Sequence, residues 1–169
     1  MPRRLSHALI VLAAAALVIA SGAAADKPIK EPGSAQPVTF QGATAVCSFP
    51  VQATYSAFNN FTITHLDKSG GVRWIGGAGR IVERLTNLTN GKSVDINASG
   101  PGKITFNDDG SATIDGGGPW LVGYFAGDSP SLALLLYRGH IVLNVSADGT
   151  LSLVSYVGAP PQDVCAMIA

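Results

Sequence analysis

From Val46 onward, apolar residues recur at every second position in short runs, and most runs are cut by Gly, Asn or Asp. That period puts successive side chains on opposite faces of an extended chain, so each run reads as a half-buried β-strand. Val94, Ile96 and Ala98 point one way, while Asp95 and Asn97 point the other. Ile104 and Phe106 alternate with Lys103 and Thr105, the turn Asn107-Asp108-Asp109-Gly110 follows, and Ala112 and Ile114 alternate with Ser111 and Thr113. This predicts a hairpin, because Asp-Gly tolerates the positive φ that a tight turn needs. A second hairpin is predicted where Ile141, Leu143 and Val145 lead through Ala147-Asp148-Gly149 to Leu151, Leu153 and Val157.

Further runs span Val51 to Phe58, Phe61 to Leu66, Val72 to Ile75, Arg80 to Leu85, Trp120 to Phe125 and Leu132 to Tyr137. About eight to ten short, locally joined strands predict an all-β fold: an antiparallel meander closing into a small barrel, with a β-sandwich as the alternative. Leu132 to Tyr137 reads LALLLY, which fits a strand covered on both faces or a short helix. Gly76-Gly77-Ala78-Gly79 and Gly116-Gly117-Gly118 lack the spacing and the following helix of a dinucleotide fingerprint. They are expected to be bends where strands turn corners.

Before the strand region the pattern differs. Arg3 and Arg4 precede an apolar run from Ala8 to Ala20, followed by Ala23-Ala24-Ala25. The run falls short of the roughly 20 residues that span a bilayer and has the layout of a signal peptide, so residues 1–25 are expected to be cleaved after Ala25, with no stable membrane insertion afterwards. Loss of Arg3 and Arg4 leaves nine basic against eleven acidic residues, a net charge of −2. Such a balance offers no basic field for nucleic acid. Residues 26–44, rich in Pro, Gly and small polar side chains, show no period that buries a face and are expected to form a flexible leader. Residues 45–169 then suit a single β domain. Two cysteines in an exported chain are expected to form one disulfide, Cys47 to Cys165. Closing 118 positions would stabilise the fold by about 4–5 kcal/mol on chain entropy alone. The destination predicted by these features is extracellular or cell-envelope.

Several segments carry a resemblance. Cys47-Ser48-Phe49-Pro50, Asn90-Gly91-Lys92-Ser93, Ser99-Gly100-Pro101-Gly102, Asp109-Gly110-Ser111, Gly118-Pro119-Trp120-Leu121 and Asp163-Val164-Cys165-Ala166 resemble a group of short secreted actinobacterial proteins of unknown function. The resemblance spans nearly all of the mature chain. It implies no activity and carries over no functional residue.

Catalytic motifs are sparse. The chain has no G-x-S-x-G, no H-E-x-x-H, no paired C-x-x-C and no phosphate-cradling G-x-x-x-x-G-K-[ST]. His65 and His140 could serve as base and acid in ester or phosphodiester cleavage, since imidazole titrates near neutrality. The alternation instead puts His140 on a solvent face with Asn144 and Ser146, and His65 on the core face after Phe61 and Ile63. Asp108 and Asp109 lack the loop spacing of a calcium site and read as a turn, so no metal or cofactor is expected. Glycosylation sequons begin at Asn60, Asn87, Asn97 and Asn144.

Aromatic residues are the remaining candidates. Trp74 stands beside Arg73, and Trp120, Val122 and Tyr124 share one face of a strand. Trp74, Trp120 and Tyr124 are therefore the expected ligand-binding residues, with neighbouring glycines leaving room at one end of the barrel. The leading functional expectation is non-catalytic binding of a small apolar molecule, a glycan or a protein partner. A small extracellular hydrolase or isomerase using His65 or His140 comes second, and an envelope or inhibitor protein acting by surface contacts third. An apolar cavity with convergent polar groups distinguishes the first from the others.

Overall fold

The computed structural model describes residues 28–169. The predicted signal peptide lies outside the described residues. Ten strands follow in chain order: β1 (Ile29–Pro32), β2 (Val38–Phe40), β3 (Val51–Leu66), β4 (Val72–Asn87), β5 (Ser93–Asn97), β6 (Gly102–Phe106), β7 (Ala112–Gly116), β8 (Pro119–Tyr124), β9 (Ala133–Val145) and β10 (Leu151–Asp163). One short helix, α1 (Val164–Ile168), completes them. Every ladder between these strands is antiparallel, and both hairpins read from the turn residues are present as β6–β7 and β9–β10.

The runs expected to be separate strands merge. Val51 to Phe58 and Phe61 to Leu66 form one 16-residue strand, β3, and Val72 to Ile75 joins Arg80 to Leu85 in the equally long β4. The glycine run lies inside β4, where Gly79 adopts φ 147° opposite Asn60. A side chain at Gly79 would collide with the Asn59 carbonyl, so glycine lets the two paired strands bend together without breaking their ladder.

The meander does not close. Sheet order runs β1-β3-β4-β6-β7-β9-β10, an open path. One edge of β4 is used twice, by β6 at Trp74 to Gly77 and by β5 at Val82 to Thr86. One edge of β9 is likewise shared by β8 and β7. The sheet therefore forks and folds over itself, so the sandwich-like alternative describes it and the closed barrel does not.

Two buried clusters fill the fold. Val51, Ala53, Leu85, Leu134, Leu136 and Ile168 belong to one, and Val122, Tyr124, Tyr137, Ile141, Leu143 and Leu151 to the other. Leu134 and Leu136 face the first while Tyr137 and Leu135 face the second, so Ala133 to Tyr137 of the LALLLY run form a strand covered on both faces, with Leu132 exposed before it. The disulfide joins Cys47 to Cys165 with a Cα separation of 5.6 Å, between the fully buried Val46 and Val164. Asn87 and Asn90 donate to the Ile168 carbonyl at 3.0 and 3.3 Å, and the Lys92 ammonium reaches the Ala169 main-chain oxygen.

Residues 28–44, the described part of the expected flexible leader, hold two strands. Both β1 and β2 pair with β3, with the Gly33 amide donating to the Asn60 carbonyl at 2.8 Å between them. Backbone groups along the outer edge of a 16-residue strand need partners, and an extended segment satisfies them without an apolar face of its own.

Candidate functional site

A cavity of about 240 Å³ opens between the β4–β6–β7 part of the sheet and the covering strands β8 and β9. Ile75 and Ile81 of β4, Ile104 of β6, Ile114 of β7, Val122 of β8 and Leu143 of β9 form its apolar wall. On β4 the odd positions Ile75, Gly77, Gly79, Ile81, Glu83 and Leu85 share the inner face, as the uninterrupted register of that strand requires. Gly77 and Gly79 leave this face without side chains, and Gly77 is the one with free space before it. A Cβ built there would meet nothing nearer than the Phe61 carbonyl oxygen at 3.4 Å, so its absence leaves open volume.

Four polar side chains line the cavity: Asn60, Glu83, Asp128 and Ser146. Asp128 is occupied, accepting the Phe125 amide at 2.6 Å and the Leu151 amide at 2.8 Å. Ser146 is occupied as well, its hydroxyl bonded to Asp148 and to the main chain of Thr150. Glu83 is 5 % exposed, and its carboxyl has no hydrogen-bond partner among the described residues. Burial pushes its carboxyl up to about 7. The Oδ1 atom of Asn60 is buried without a partner. No Lys, Arg or His lines the cavity among the described residues.

The three expected aromatics do not share a site. Trp120 alone reaches the cavity. Its indole donates to the Pro101 carbonyl at 3.1 Å and lies over Gly100, Gly102 and Gly116, where any Cβ would overlap the ring. Tyr124 is fully buried behind it, with its hydroxyl 2.9 Å from that of Tyr137. Burial, and then that hydrogen bond, push the Tyr124 phenol above its ordinary range. Trp74 is on the opposite face of β4, stacked on the His65 ring at 4.6 Å.

His65 also departs from its expected place. A bulge between Tyr55 and Ala57 inserts one residue into β3, so the inward parity changes from Val51, Ala53 and Tyr55 to Asn60, Thr62 and Thr64. Phe61, Ile63 and His65 turn outward, and the Lys30 ammonium covers the Phe61 ring at 4.3 Å. His140 pairs with Asp115 at 3.0 Å on an exposed face. Three strands, β4, β6 and β7, lie between β3 and β9, so the two imidazoles belong to separate pairs.

Asp109 accepts the Ser111 amide and hydroxyl at 2.9 and 2.6 Å, which is the work of a turn residue. Among the described residues no group of three or more His, Cys, Asp or Glu could hold a metal ion. Of the sequons, Asn87 is 2 % exposed and committed to Ile168 and Thr89. No helix of the described residues is long and apolar enough to cross a membrane.

Glu83 is the residue that motif searching passed over. Its signal was present: in Ile81-Val82-Glu83-Arg84-Leu85 a carboxylate shares parity with two apolar residues, where alternation predicts a core position. Comparison with protein-family models, with curated proteins and with solved structures returns no match.

Proposed function

We propose that this chain is an exported binding domain that holds a small apolar molecule in the cavity between β4, β6, β7, β8 and β9. The observation that carries this reading is the cavity itself: about 240 Å³ of apolar-walled space lined by residues of five strands. A cavity of ~150 Å³ accepts benzene, which scales to a compact ligand of about ten non-hydrogen atoms here. Trp120, half-buried at the wall, is the recognition surface, and its glycine cradle holds it in one orientation. Export is supported by Arg3 and Arg4, the apolar run, Ala23-Ala24-Ala25, and a disulfide suited to an oxidising compartment. The resemblance to secreted actinobacterial proteins agrees with that destination.

Trp74→Phe leaves Trp120 as the sole indole, because the chain has two tryptophans. Titrating this variant with 1-nonanol should give a saturable change in emission. A linear response without saturation would remove the reading. Export is tested by mass spectrometry of protein from the culture medium, where the first residue should be Asp26.

A further inference from the structure

We propose that the cavity selects an apolar amine, whose protonated nitrogen is held by the Glu83 carboxylate. This rests on the reading that the cavity binds a small molecule, and it names the chemical class. The polar lining has spare capacity of one kind only. Asp128 and Ser146 are satisfied by the protein itself, which leaves Glu83 and Asn60 Oδ1, and both accept hydrogen bonds when Glu83 is ionised.

An acceptor left without a protein partner in a buried wall is costly, and a ligand that brings a donor to it relieves that cost. Charge decides between donors. A buried carboxylate needs a countercharge, and the cavity wall supplies none. Arg84, next in sequence, points to the other face of β4 and is paired with Asp95 at 2.8 Å. An ammonium provides the missing charge and up to three N–H groups, an alcohol provides a single uncharged donor, and a carboxylate adds a second negative charge beside the first.

The groups packed around Glu83 agree with this assignment. Tyr55 faces it from β3, its phenol pushed up to about 12 by burial and then by the Glu83 charge, so it stays neutral beside the carboxylate. Ile96 faces it from β5 and does not ionise. The Asp128 carboxylate elsewhere on the cavity wall adds negative charge.

Calorimetric titration of the purified protein at about pH 8 with nonylamine, 1-nonanol and nonanoate separates the possibilities. The expected order is amine tighter than alcohol by about tenfold or more, with nonanoate weakest. Glu83→Gln should lower amine affinity to that of the alcohol and leave the alcohol within about twofold. If that variant does not fold, the unaltered protein provides the same test: amine affinity should fall at least about tenfold from pH 8 to pH 5 as Glu83 takes up a proton, with alcohol affinity unchanged. Alcohol binding equal to amine binding would overturn the amine assignment and leave the cavity reading intact. Failure of all three probes to bind would remove the cavity reading and the assignment with it.

Discussion

Glu83 and Tyr55 are direct partners on the β3–β4 ladder, so a carboxyl and a phenol share one rung on the inner face of the sheet. Burial raises both groups, Glu83 to about 7 and Tyr55 to about 12. Each group is most easily buried in its neutral form, and the carboxyl is the one that ionises near physiological pH.

This pair gives the protein a defined pH response. The unfolded chain releases the Glu83 proton near 4.5 and the folded chain near 7. Between those values the folded state binds more protons, so the contribution to stability is fully present below about pH 4.5 and is lost as pH rises through about 7. The loss is about 3 kcal/mol. Asp67, Asp109 and Asp148, whose carboxyls are held below the usual range chiefly by serine hydroxyls, act in a separate window. Their support is present at neutral pH and is lost as pH falls through the lowered values. Urea unfolding at about pH 5 and about pH 8 should show the decline in the unaltered protein and a flat profile for Glu83→Gln. Parallel profiles would assign the pH response to other groups.

Filling the cavity should block it without harming the fold. Gly77→Val adds a β-branched side chain at a position where a Cβ meets ordinary contact distances, and strands favour such residues over glycine. Probe binding should vanish and stability should hold or rise. Gly102→Ala should do the opposite to the fold, because its Cβ overlaps the Trp120 ring, costing about 1–3 kcal/mol. Thermal unfolding of the two variants separates open space from occupied space.

The disulfide is expected to carry a large share of the stability. Cys165→Ser should cost about 2–5 kcal/mol, since α1 is held by that bond, by two buried apolar residues and by side chains from the turn after β4. Alkylation of untreated protein should modify neither cysteine. Modification of both would show that the bridge is not native.

Asn87 is expected to behave as an interior residue and not as a glycan acceptor. Its buried amide donates to Ile168 at 3.0 Å, and its oxygen accepts from the amide of the exposed Thr89 at 2.8 Å. Asn87→Ala should cost about 1–3 kcal/mol by removing the hydrogen bonds that tie the end of β4 to Ile168 and to Thr89. Asn97→Ala, at an exposed position, should cost a few tenths of that in the same denaturation assay.

The all-β class, the two hairpins and the disulfide were legible in the sequence, because each depends on residues whose effect is local, whereas LALLLY fitted a strand or a short helix equally. Alternation sets which side chains share a face of one strand, Asp-Gly sets a tight turn, and two cysteines in an oxidising compartment have one partner each. Read as one unbroken strand, Val72 to Asn87 also separates Trp74, Arg80 and Arg84 from Ile81, Glu83 and Leu85, so half of the candidate site was within reach of parity alone.

Tertiary structure decided what no local rule contains. The bulge after Tyr55 turned His65 outward, and the double use of one edge on β4 and on β9 left the sheet open and folded over itself. Trp120 was thereby set on glycines of β6, β7 and the connection before β6, with Asn60 and Glu83 brought to the same cavity as residues some sixty positions further along the chain. The reason is physical. Parity follows from one strand's own geometry, whereas a cavity is volume left unfilled after several strands have packed, and its size depends on every side chain around it at once.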